Sequence, residues 1–193
     1  MGLLTIIKKQ KRKDRELRCL VLGLDNAGKS TLVERLVEAS KGAEAGAQAP
    51  AVAPTVGFRI HTLVLDDRNV QLWDVGGQST LRPYWSNYFD KTDVLVWVVD
   101  VAAAARAHES QHELCALLRD RDRLGYNCRI MVLLNKTDLV DAATAAARTA
   151  AFQRELDAAL ALDNVELTTY ATSGATAAGV DAVLAGLAGP RDT

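Results

Sequence analysis

The stretch Gly23–Ser30, GLDNAGKS, limits what this chain can fold into more than any other. Two glycines bracket four residues, and a lysine and a hydroxyl follow at once. Ahead of it, RCLVLGL is an apolar run of strand type. Behind it, Leu32, Val33, Leu36 and Val37 recur at helical spacing. A strand that feeds a tight turn and opens a helix aims several backbone N–H groups, and the positive end of the helix dipole, at one point. The spacing G-x-x-x-x-G-K-S/T at such a junction is that of a loop that cradles phosphates, with Lys29 as a point charge and Ser30 as a hydroxyl for a metal ion.

The rest of the chain repeats that strand-then-helix rhythm. DVLVWVVDV (93–101) and RIMVLLNK (129–136) are nearly continuous apolar runs, as strands buried on both faces tend to be. HESQHELCALLRD and the alanine-rich TAAARTAAFQRELDAALAL read as helices, VELTTYAT as a last strand and GVDAVLAGLAG as a short closing helix. FRIHTLVLDD and NVQLWDV alternate and predict a hairpin turning at Asp66–Asp67. The expected fold is α/β, a mostly parallel sheet of about six strands with helices on both faces and ligands at the carboxyl ends of the strands. Between the first helix and the hairpin, KGAEAGAQAPAVAP (41–54) holds six alanines, two glycines and two prolines, and reads as a flexible insertion.

Composition excludes some functions. A net charge of -1 argues against a surface built for nucleic acid, although KKQKRKDRELR concentrates seven basic and two acidic residues near the start. Cys19, Cys115 and Cys128 show no metal-ligand spacing, and three cysteines suit buried thiols in a reducing compartment. His61, His108 and His112 form no ligand set. No apolar run is long enough to span a bilayer.

Two further motifs stand where strands end. WDVGGQ places Asp74 where an acid could hold Mg²⁺ through water, Gly77 where a bare backbone N–H could meet a terminal phosphate, and Gln78 as a neutral group able to orient water. NKTD offers Asp138, which when ionised presents only acceptors. It therefore fits the adjacent N1–H and amine donors of guanine, which adenine lacks. Asn135 could clasp the base and tie back to the phosphate loop, and the Lys136 stem could lie across the ring.

With GLDNAGKS, PTVGF, WDVGGQ, LRPYWSNYF and NKTD in this order, the chain resembles the small GTPases of the ADP-ribosylation factor (Arf) family, nearest to its Arf-like two and three branch. The resemblance covers nearly the whole chain and weakens after about residue 140. It implies a P-loop GTPase fold, GTP or GDP with Mg²⁺ as cofactors, and a slow GTPase. It also implies that Asp25, Asn26, Ala27, Gly28, Lys29, Ser30 and Thr31 wrap the phosphates, with Lys29 and Gln78 serving catalysis. By the same resemblance Ser30 and Thr55 ligate Mg²⁺ alongside Asp74, and Gly77 binds the γ-phosphate. Asn135, Lys136 and Asp138 read guanine, and the Ala171 N–H holds the guanine oxygen.

Three departures stand out. Tyr170 replaces the usual serine before Ala171, the segment before Thr55 is longer by about eight residues, and Ile6 stands where N-myristoylation of Gly2 wants a hydroxyl.

The expected domain plan is an N-terminal amphipathic segment (1–16) and a GTP-binding domain (17–189) with its insertion at 41–54. Leu3, Leu4, Ile6 and Ile7 give the first segment an apolar face that could dock on a partner or on the protein itself, with at most weak membrane contact. The resemblance implies that this segment is released when GTP binds. Expected partners are nucleotide-dependent effectors, among them lipidated-cargo carriers or a tubulin-folding cofactor, and a GTPase-activating protein. The expected state is a monomer in the cytoplasm with a microtubule- or centrosome-associated pool. Trp73, Tyr84, Trp85, Tyr88 and Phe89 cluster by the second switch, where exposed aromatics would mark an interface. Two other readings stay open from the residues: a scaffold that binds GTP or GDP without hydrolysing it, and a P-loop nucleotide kinase, which would need a basic lid that the sequence does not show.

Overall fold

The computed structural model describes residues 16–42, 53–119, 124, 128–160 and 167–189. Of the sequence expectations, the amphipathic segment through residue 15 and positions 43–52 of the insertion lie outside the described residues.

The elements, in chain order, are β1 (Glu16–Leu22), α1 (Lys29–Ser40), β2 (Phe58–Leu65), β3 (Arg68–Val75), β4 (Val94–Asp100), α2 (Ala107–Arg119), β5 (Arg129–Asn135), α3 (Ala142–Leu160), β6 (Leu167–Ala171) and α4 (Val180–Ala188). Short 3₁₀ turns cover Arg82–Tyr88, Ala104–Arg106 and Thr137–Leu139. The boundaries fall within two residues of the sequence reading; β6 opens at Leu167, beside undescribed residues.

The six strands form one sheet in the order β2-β3-β1-β4-β5-β6. Only β2 runs antiparallel to its neighbour. Its hairpin turns at Asp66 and Asp67, both at positive φ (45° and 65°) as a tight two-residue turn requires. The continuous apolar run of β4 is explained by its central place: Val94–Val99 are all buried.

Two cores lie on the two faces. On one, Leu32, Val33 and Leu36 of α1 meet Val180, Val183 and Leu187 of α4 over Val21, Leu72, Val96 and Leu133. On the other, Leu114 and Leu118 of α2 meet Phe152, Leu156 and Leu160 of α3 over Leu20, Trp97 and Leu134. The alanine-rich α3 is anchored through Phe152, Leu156 and Leu160, one residue per turn on a single stripe. Gly186 sits mid-helix in α4 because a Cβ there would fall 2.2 Å from the Tyr170 hydroxyl. The tyrosine at the departure before Ala171 is thus accommodated by a missing side chain opposite. Cys19, Cys115 and Cys128 are buried thiols outside any disulfide, and burial pushes the Cys19 thiol well up. Among the described residues no helix is long and apolar enough to cross a membrane.

Candidate functional site

The carboxyl ends of β1, β3, β4, β5 and β6 lie along one rim of the sheet, and the motif residues gather there in two groups.

The first group surrounds the N-terminus of α1. Asp25, Asn26, Gly28, Lys29, Ser30, Thr31, Thr55, Gly76, Gly77 and Gln78 line a pocket of about 300 Å³, the lower end of the range for small-ligand sites. Gly28, just before the helix, has φ 88°, and a Cβ on it would fall 2.4 Å from the Asn135 amide nitrogen. Only glycine serves there, for both reasons. The Lys29 ammonium is buried and donates to the carbonyls of Gly23 (2.9 Å) and Leu24 (2.8 Å). Burial pushes its pKa down to about 8, with Asp74 and Asp25 pulling the other way. Such a lysine gains from an anion.

Ser30, Thr55 and Asp74, far apart in sequence, converge. The Ser30 hydroxyl lies 2.8 Å from that of Thr55 and donates to the Asp74 carboxylate at 2.5 Å, and Thr55 reaches the same oxygen at 3.3 Å. Asp74 is fully buried, and its other oxygen, Oδ1, has no hydrogen-bond partner among the described residues. Two hydroxyls and a buried carboxylate with an unsatisfied oxygen fit a hard cation such as Mg²⁺. Gly77 presses on the phosphate loop: a Cβ would fall 2.4 Å from the Gly23 carbonyl oxygen and 2.5 Å from Lys29 Nζ. Its carbonyl accepts from the Asp25 N–H (3.1 Å) and from Arg82 Nε (3.2 Å). The Gln78 side chain is exposed at the mouth.

The second group joins the ends of β5 and β6. Asn135 is buried and bridges both sides: its amide donates to Ala27 O (2.9 Å), and its oxygen accepts from Gly174 N–H (3.0 Å) and Thr172 Oγ1 (3.4 Å). Lys136, at φ 66°, pairs with Asp100 at 2.8 Å while its stem passes near Gly28. Asp138 accepts a 2.5 Å hydrogen bond from Ser173. Ala171 is exposed at the end of β6, in register with Leu134. This second group flanks the phosphate-side pocket rather than lining it.

Sequence reasoning missed Ser173 and two arginines. No motif placed an arginine at the phosphate loop, yet the fold brings two there. Arg106 bonds the Asp25 carboxylate (2.9 Å) and its carbonyl (2.9 Å), and Arg82 reaches Asp25 at 3.4 Å. Glu109 and Glu113 complete the cluster, at 2.8 and 2.9 Å from Arg82. Hydrogen bonds from Arg106 hold the Asp25 carboxyl below its usual range. Arg106, then Arg82, do the same to Glu109. For Arg82, burial works against the charge, but Glu109 and Glu113 outweigh it and raise the pKa. Arg82 lies inside the aromatic segment LRPYWSNYF, a signal from which it could have been suspected. Arg106, after a run of alanines, carries no such signal.

Around the second switch, Trp85 and Phe89 are core residues. Phe58 (45% exposed) stacks on Trp73 and tilts against Tyr88, and Val56, Ile60, Val64 and Tyr84 are also exposed. The Arg18 guanidinium lies 3.9 Å from the Trp73 ring centre. Among the described residues, no three His, Cys, Asp or Glu side chains form a metal-binding group.

The sequence profile described as "ADP-ribosylation factor family" matches residues 3–189. The chain is 45% identical over 145 residues to ADP-ribosylation factor-like protein 3 of Chlamydomonas reinhardtii, covering 75% of this chain and 76% of that protein. It is 44% identical over 139 residues to ADP-ribosylation factor-like protein 2 of Drosophila melanogaster, covering 72% and 70%. The fold is similar to that of the Arl6 (BBS3) small GTPase of Trypanosoma brucei, solved with the nucleotide analogue GppNp. The TM-score is 0.70 at 22% identity, over 89% of this chain and 95% of that one.

Proposed function

The chain belongs to the ADP-ribosylation factor family, a family of nucleotide-dependent GTPase switches, and on that premise we propose that its two groups of rim residues form one guanine-nucleotide site. The observation that carries this reading is the convergence of Ser30, Thr55 and Asp74 within 3.3 Å beside a buried lysine at a helix N-terminus. The loop Asp25–Thr31 wraps the phosphates with its N–H groups, and Lys29 supplies positive charge against the outer ones. Ser30 and Thr55 would ligate Mg²⁺ through their hydroxyls, and Asp74 would help to hold it. The ion, when bound, neutralises phosphate oxygens. Gly77 offers its N–H to the terminal phosphate, and Gln78 orients the attacking water. At the other end Asp138 accepts from the guanine edge, Lys136 covers the ring, Asn135 ties the two ends together and Ala171 donates to the guanine oxygen.

Hydrolysis by the isolated protein is slow in this reading. Arg82 and Arg106 are held by carboxylates at 2.8–3.4 Å, so the charge that completes catalysis comes from an activating partner. The exposed Phe58, Ile60 and Tyr84 lie close in the chain to Thr55 and Gly76–Gln78 and suit effectors that read the nucleotide. We place those effectors among carriers of lipidated cargo or a tubulin-folding cofactor. The protein is then a cytoplasmic monomer with a microtubule- or centrosome-associated pool, and its N-terminal segment (1–16) reports the nucleotide held by residues 17–189.

Binding of fluorescent GDP, GTP, ADP and ATP, with Mg²⁺ titrated, tests the site. Guanine nucleotides should bind with strong preference, and GTP binding should weaken when Mg²⁺ is chelated. Equal binding of ATP and GTP would refute the base assignment.

A further inference from the structure

Arg35 lies in the middle of α1 and is only 2% exposed. Burying a guanidinium is costly, and an apolar side chain would serve helix packing better. Its bonds therefore indicate what it is kept for. Nε donates to the carbonyl of Gly174 at 3.1 Å, and one terminal nitrogen donates to the carbonyl of Ala175 at 3.1 Å. The other terminal nitrogen pairs with Glu38, one turn along the helix, at 2.9 Å. The planar fork of arginine presents donors on separate nitrogens in one fixed plane, whereas lysine offers all of its donors from a single nitrogen.

The loop it grips is the one between β6 and α4. Gly174 is fixed at both faces of its backbone: its N–H donates to Asn135 at 3.0 Å, and its carbonyl accepts from Arg35. A Cβ on Gly174 would lie 3.3 Å from Leu32 N and from Thr31 Cγ2, so this glycine rests on the first turn of α1. Its neighbour Ser173 is the residue that donates to Asp138. One helix thus carries the phosphate residues Lys29 and Ser30 at its start and, about a turn and a half further on, grips the loop that orients the base-reading aspartate.

We propose that Arg35 is a positioning residue for guanine. By clamping Gly174 and Ala175 to α1, it fixes the base-reading end relative to the phosphate loop and so sets how slowly guanine nucleotides leave. The proposal rests on the reading of the site given above. If the clamp is lost, Ser173 no longer holds the Asp138 carboxylate in place. Contacts to the 2-amino group of guanine then weaken more than contacts to phosphate.

The test compares release of fluorescent GDP and IDP, which lacks that amino group, from the full chain with Mg²⁺. The proteins are the native chain, Arg35→Met, Arg35→Lys and Leu156→Ala. The last opens a cavity in the opposite core and reports what lost stability alone does. Arg35→Met is expected to release GDP about tenfold faster or more, with a smaller change for IDP. The GDP-to-IDP ratio should narrow, partly for Arg35→Lys and not at all for Leu156→Ala. A folded Arg35→Met with the native GDP rate would overturn the proposal. So would equal acceleration of both nucleotides to the extent seen in Leu156→Ala. If Arg35→Met does not fold, Arg35→Lys decides: a narrowed ratio supports the clamp and the native ratio overturns it. A native chain that holds neither nucleotide would instead refute the site itself, and the proposal with it.

Discussion

The two ends of the candidate site are built differently. At the phosphate end, Ser30, Thr55 and Asp74 bond to one another and Lys29 bonds to the carbonyls of its own loop, while one buried oxygen of Asp74 has no partner among the described residues. At the base end, Asn135 and Ser173 are buried and bonded across elements, and Asn135 ties the phosphate loop to Gly174. The first set has partners that a ligand would replace. The second has partners that a ligand would leave in place. A site made this way can hold a nucleotide by one end and change shape at the other, as a switch requires.

That contrast can be broken most strongly at Gln78. Gln78→Leu should leave GTP affinity nearly native and slow stimulated hydrolysis by about a hundredfold or more, because only the water loses its guide. Single-turnover assays with an activating partner would show it, and an unchanged rate would move that duty elsewhere. Asp138→Asn acts at the other end. It exchanges a charge-assisted acceptor for a donor facing donors, at a cost of about 2–4 kcal/mol, or about 30- to 1000-fold in affinity. Calorimetry should find GDP and GTP weakened alike. A loss confined to one of them would mean that the base end also senses the phosphate.

Lys29 gives a smaller, pH-dependent effect. In the free protein burial lowers its pKa to about 8, so above that pH the amine is increasingly neutral. Phosphate favours the ammonium, so binding there must take up a proton and affinity falls as pH rises, approaching about tenfold per pH unit. Calorimetry between about pH 7 and 9, in buffers of different ionisation enthalpy, would detect the uptake. Its absence would show that Lys29 stays charged in the free protein. The smallest effect is expected from removing about eight residues of the 41–54 stretch. Nucleotide affinity should change by less than about 0.5 kcal/mol, the usual range for surface changes. A shortened chain that no longer bound GTP would make that stretch part of the site.

Much of the fold and of the site is legible in the amino-acid sequence. The phosphate loop announces itself because its chemistry depends on residues adjacent in the chain. The buried runs of β4 and β5 and the Asp66–Asp67 turn follow from periodicity and turn chemistry alone. Asp74 and Asn135 are readable because each stands at the end of a strand. What the sequence hides depends on contacts between distant segments. Arg106 reaches Asp25 across 81 positions, and Arg35 reaches Gly174 across 139. On a helix, an arginine among apolar residues looks like a solvated charge until the loop it grips is folded over it. Tyr170 reads as a disturbance of the last loop, and only the space above Gly186 shows how it fits.

Hydrogen exchange on the full chain loaded with GDP, and then with a non-hydrolysable GTP analogue, tests the difference between the two ends most directly. Amides around Thr55 and Gly76–Gln78 should gain protection with the GTP analogue, while those of Asn135–Asp138 and Thr172–Gly174 should be equally protected in both. Equal exchange at Thr55 and Gly77 in the two states, or a change confined to the base end, would contradict it.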